Sequence, residues 1–122
     1  MKKPLDFSQN WNGKLFCSIF HTLRASGRFE NGDKVEITLK GELLGSAECI
    51  SKTRYENMNK IPEIICFIDT GYSKDETLKI IGKMYGTDEP QIMPIYGYLF
   101  KWIQTTANKK NLKPVIQLAM NL

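Results

Sequence analysis

Two short stretches carry residue types that could do chemistry. In Phe20-His21-Thr22-Leu23-Arg24, Thr22 and Arg24 stand two apart. On an extended strand that spacing projects both side chains from one face, about 7 Å apart. Arginine offers a planar fork for phosphate, carboxylate or a base edge, and a threonine hydroxyl beside it can donate or accept. In Asp69-Thr70-Gly71-Tyr72-Ser73, an aspartate closes one helical pattern where a glycine and a serine open the next. A carboxylate held there can bind a cation or take a proton. On spacing alone, each stretch also has a structural reading: a strand end reaching solvent, and a helix stop followed by a cap.

The elements that would position these residues follow from hydropathy patterning. Residues 14–24 read as a strand, with His21 and Leu23 facing one way and Thr22 and Arg24 the other. Residues 34–40 alternate, with Val35, Ile37 and Leu39 inward, and a turn at Gly41-Glu42 leads into a partner strand over 43–50. Residues 51–60 read as a polar connection. Pro62 opens a short helix that Gly71 stops, and Ser73 with Glu76 forms the capping box of a second. A last strand, 95–103, places Tyr96, Tyr98, Phe100 and Trp102 on one face. Such a face fills a core or stacks bases, and the core is the expected use. The resulting organisation is an arm over residues 1–13, an α+β domain over 14–103 and a basic extension over 104–122.

At 122 residues the chain is sized for one domain. Cys17, Cys49 and Cys66 are widely spaced, and the single histidine has no partner at ligand spacing, so no metal site is expected. No cofactor motif is present. Neither a signal peptide nor a membrane-spanning run is visible, which predicts a cytoplasmic protein without membrane contact. The net charge of +4 is unevenly placed. Residues 1–40 hold seven basic and four acidic side chains, 41–89 six and nine, and 90–122 four and none. Basic ends around an acidic middle suit a polyanion such as RNA, and equally suit simple solubility.

The ordered strings FHTLR, F-x-x-GD-x-V-x-I-x-LKG, LG-x-AE, DTGYS with a helix ending KMYG, and LFKWI resemble the ASCH (activating signal cointegrator homology) family over residues 14–103. The resemblance implies a small, partly open PUA-like β-barrel with two helices packed beside a cleft. It implies recognition of RNA or a modified nucleotide there, with the Thr22 and Arg24 end of the first strand lining the cleft. The polar pair and the basic termini extend this to a binding site of Thr22, Arg24, Asp69 and Tyr72, with Arg28, Lys101, Lys109 and Lys110 attracting phosphate. Some similar proteins are small amidohydrolases that deacetylate acetylcytidine through a lysine, a threonine and a glutamate. Thr22 matches their threonine, and the glutamate's place falls near Asp69 or Thr70. Ile19 stands in the lysine's place and has no ionisable group for proton transfer. The resemblance therefore implies a binding module first, with Thr22 and Asp69 as the catalytic pair of an alternative hydrolase. A third reading is an adaptor whose apolar tail, residues 114–122, docks a protein partner.

Overall fold

The computed structural model describes residues 2–110. Five strands form one mixed sheet in the order β1-β3-β4-β5-β2: β1 is Lys3–Phe7, β2 Ile19–Arg24, β3 Lys34–Leu39, β4 Glu42–Tyr55 and β5 Ile95–Thr105. Every neighbouring pair is antiparallel except β1 with β3. Helices α1 (Glu63–Thr70) and α2 (Lys74–Tyr85) lie between β4 and β5 in the chain, and a short α3 (Ala107–Lys110) follows β5. No helix among the described residues is long and apolar enough to cross a membrane. Residues 111–122, with most of the apolar tail, lie outside the described residues.

The hairpin follows from its turn. Lys40 and Gly41 both adopt positive φ, 51° and 84°, the left-handed pair that matches the twist of two flanking strands. β4 continues past the expected end at Ile50 to Tyr55, because its backbone keeps pairing with β5 while its polar side chains stay half exposed. The largest departure from the sequence reading is at the start. Lys3–Phe7 is a strand paired to β3, with Leu5 and Phe7 buried. Residues 14–18 are not strand: Trp11–Phe16 is a 3₁₀ turn containing Asn12 and Gly13 at φ 57° and 64°.

The helices form where their signals stand. Gly71, at φ 81°, ends α1 in the left-handed conformation open to glycine. The Ser73 hydroxyl accepts from the Glu76 N–H, capping α2, and donates its own proton to the Glu76 carboxylate.

Two apolar clusters sit on opposite faces of the sheet. The inner one gathers Leu5, Phe20, Phe29, Val35, Ile37, Tyr98 and Phe100. The aromatic face of β5 is thus core, with Phe29 edge-on to Tyr98 and Phe100 at 5.3 and 5.5 Å. The outer cluster seats α1 and α2 through Leu23, Ile61, Cys66, Ile81 and Ile95. The sheet curls until its two edge strands face each other, with the rings of Phe7 (β1) and Phe20 (β2) 5.9 Å apart. It does not close: β1 and β2 are not hydrogen-bonded neighbours, and a seam remains between them.

Candidate functional site

The seam is where the polar side chains converge. Thr22 and Arg24 share the inner face of β2 with Phe20 and stand opposite Tyr98 and Tyr96 of β5. Arg24 Nε donates to Thr22 Oγ1 at 3.1 Å, and the guanidinium stacks over the Phe7 ring at 4.5 Å. Because Thr22 Oγ1 accepts from Arg24, its own proton is free for another acceptor.

The Trp11–Phe16 turn delivers Lys14. The side chain of Asn10 accepts from the Leu15 N–H at 2.9 Å, and Asn12 Nδ2 donates to the last carbonyls of α1, Phe67 and Ile68, at 3.2 Å each. The turn is thereby clamped onto the helix that carries Asp69. Lys14 Nζ donates to Asp69 Oδ1 at 2.5 Å, and the other carboxylate oxygen, Oδ2, faces His21 Nδ1 at 3.0 Å. All three side chains are buried. His21 leaves β2 on the outer face, and its ring lies on Gly97 of β5. A Cβ at position 97 would come 2.7 Å from His21 Nε2, so the glycine is the seat of the imidazole.

Burial and pairing pull on these groups in opposite directions. Burial pushes the Lys14 ammonium below the usual lysine range, and the Asp69 charge offsets this only in part. Burial would raise Asp69, but Lys14 and the hydrogen bond from His21 outweigh it and hold the carboxyl below its ordinary value. The result is an ionised carboxylate beside a lysine held below its ordinary value, two opposed shifts of the kind that cluster at functional sites.

The arrangement opens onto a cavity of about 330 Å³. Lys14, Thr22, Arg24 and Asp69 form its polar end. Phe7, Trp11, Ile80 and Met84 give it apolar walls, and Asp6 borders it from β1. A half-enclosed apolar chamber with a few convergent polar groups is the usual form of a small-molecule site.

Of the residues singled out in the sequence, Thr22, Arg24 and Asp69 meet in this cavity. Tyr72 does not line it; its ring packs edge-on against Trp11, which does, at 6.2 Å. Arg28 is engaged elsewhere, donating to the Pro4 carbonyl and stacking over Phe29 at 4.5 Å. Lys101 is exposed on β5 opposite Ile19, and neither lines the cavity. Lys109 lies over the Trp102 ring at 5.0 Å. Lys14 is not among the sequence candidates, where it stands as the first residue of the strand expected over 14–24. Asn12-Gly13 is the signal that could have exposed it, a strong turn dipeptide directly before the lysine.

No family model matches this chain, and no curated protein matches it. Among solved structures, protein EF3133 from Enterococcus faecalis V583, described under the family model DUF984, is similar with a TM-score of 0.62. The likeness covers 87% of this chain and 84% of that one at 12% sequence identity, and at that identity it shows the fold alone.

Proposed function

We propose that the seam cavity binds a nucleoside-sized planar molecule and hydrolyses an acyl group from its amine. The observation that carries this reading is the buried Lys14–Asp69 pair, 2.5 Å long, opening onto a 330 Å³ cavity beside Thr22 and Arg24. Water attacks the acyl carbon as Lys14 takes its proton, acting from the neutral form that burial favours and the Asp69 charge opposes. Thr22 O–H and the Arg24 guanidinium stabilise the oxyanion of the tetrahedral intermediate. Lys14 then returns the proton to the departing amine, and the acid and the free amine leave. Asp69 is already shared between Lys14 and His21, so it holds the lysine in place and steadies its ammonium. The carboxylate itself is not the base.

The resemblance to the ASCH family supports this reading. Lysine is missing at position 19, but an ammonium reaches the threonine's cavity from position 14. A curled sheet open along one seam, with two helices beside it, is the form a partly open PUA-like barrel would take.

Incubation with N4-acetylcytidine followed by chromatography tests the proposal. The expected result is release of cytidine, with Lys14→Met and Thr22→Val each lowering kcat/KM by about 10²-fold or more. Turnover that survives Lys14→Met would remove the assigned base, and no turnover at all would remove the hydrolase.

Arg24 stacked in an aromatic-walled chamber favours a second reading, in which the site binds an RNA end or nucleotide without turnover. Labelled single-stranded RNA would then bind at low salt and weaken steeply as salt rises. The reading is weaker, because Arg28 and Lys101 do not line the cavity.

A further inference from the structure

Among the described residues, the backbone of the seam has hydrogen-bonding capacity left unused, and the strand register fixes its orientation. Ser18 and Trp102 are an opposed pair, and the Trp102 N–H donates to the Ser18 carbonyl at 3.1 Å. Antiparallel pairing alternates between bonded and non-bonded pairs, so Phe20, Thr22 and Arg24 turn their N–H and C=O toward β5. Ile19, His21 and Leu23 turn theirs outward, to the free edge. Ala25 continues this parity, and its N–H does point outward, to Tyr85 Oη at 3.2 Å.

The opposite wall can be read the same way. The Phe7 carbonyl accepts from the Lys40 N–H at 2.9 Å, so Phe7 faces β3. Asp6 and Pro4 then face outward, and the Pro4 carbonyl is indeed taken from outside by the Arg28 guanidinium. Leu23 and Asp6 both line the cavity. Among the described residues, neither backbone has a hydrogen-bond partner in a turn, loop or side chain. Buried backbone groups are almost always satisfied, and Leu23 is buried.

We infer that the cavity selects ligands carrying a planar edge with an N–H beside an acceptor, which pairs with the N–H and C=O of Leu23 while Asp6 faces it from β1. An extended residue holds its own N and O roughly 3 Å apart on one side of the strand. An imide, lactam or acylated aminopyrimidine edge presents a donor and an acceptor at similar spacing, in plane. The aromatic and aliphatic walls suit the faces of such a ring. A ligand seated this way takes the place of a missing strand and bridges the two edges. The inference deepens the proposed function and rests on it for the location of the ligand; the edge chemistry does not depend on hydrolysis.

The test is a titration of the full ¹⁵N-labelled chain with uridine and with 3-methyluridine, which carries a methyl group in place of the ring N–H. Uridine is expected to move the Leu23 amide signal downfield, and 3-methyluridine to bind at least about tenfold more weakly. A chain with an ester in place of the Leu23 amide, leaving the side chain intact, should lose about tenfold in uridine affinity. Equal binding of the two nucleosides, no binding of uridine up to about 10 mM, or an unchanged affinity in the ester chain would overturn the inference. Acetylcytidine turnover measured in parallel separates the two ideas. Hydrolysis that is indifferent to the ester sinks the edge and spares the hydrolase, whereas uridine pairing at Leu23 without turnover does the reverse.

Discussion

Among the described residues, two lysine–aspartate pairs are almost equal in length, Lys3–Asp33 at 2.7 Å and Lys14–Asp69 at 2.5 Å. Their side chains are 42% and 27% exposed in the first, and 5% and 4% in the second. The first ties β1 to the turn before β3, in water that screens both charges. The second has lost its water and must be satisfied by protein. Asp69 gains a second partner in His21, while burial holds the Lys14 ammonium below the usual lysine range. Equal distance therefore does not mean equal role. One contact is a surface tether, and the other is a buried pair that the fold must keep assembled.

The comparison can be broken most sharply at Asp69. Asp69→Ala strands the buried Lys14 ammonium and is expected to destabilise the fold by about 3–5 kcal/mol in chemical denaturation. The double variant Lys14→Met/Asp69→Leu should recover most of that loss, because it removes both charges, and should have no hydrolytic activity. The depressed Asp69 carboxyl also fixes the direction of the acid response. Its contribution is complete above the unfolded carboxylate value of about 4, and is lost as pH falls through the lower folded value. The acid limb of the stability curve should be shallower in the double variant.

Next in size is Gly97→Ala, which drives a methyl group against His21 and should cost about 1–3 kcal/mol. The ¹⁵N signals of the His21 ring should shift with it; an unchanged ring would mean that the glycine is not its seat. Smallest is Lys3→Met. Its denaturation midpoint is expected to match the parent within error at 1 M salt, where the exposed pair is screened. A clear loss there would make the surface pair more than a tether.

Much of the scaffold was legible because its signals are local. Val35 and Ile37 alternate with polar neighbours, Gly71 and Ser73 mark helix ends, and the β5 aromatics announce a core. The pairing of Thr22 with Arg24 follows from strand periodicity alone, and Asp69 joins them because α1 packs back on β2. What escaped depends on long-range geometry. β1 is five residues long, contains a proline and pairs in parallel with a strand about thirty residues away, so its period is too short to stand out. Lys14 escaped because the lysine was sought along β2. The turn at Asn12-Gly13, clamped to α1 by Asn12, brings it in from outside the strand. The histidine was expected to point away from Thr22, and its side chain does leave the opposite face. It reaches the same site through the carboxylate of Asp69.

The Phe7 ring has a consequence for how this chain can change over evolutionary time. One of its contacts is an aromatic neighbour, Phe20; two others are cations, Arg24 at 4.5 Å and Lys14 at 5.5 Å. Leucine at position 7 would keep the packing and discard the electron-rich face. Tyrosine would keep the face and bring in a hydroxyl that needs a partner. Position 7 therefore answers to two selections at once, and few substitutions satisfy both. Drift in the core and drift in the site are coupled through a single side chain.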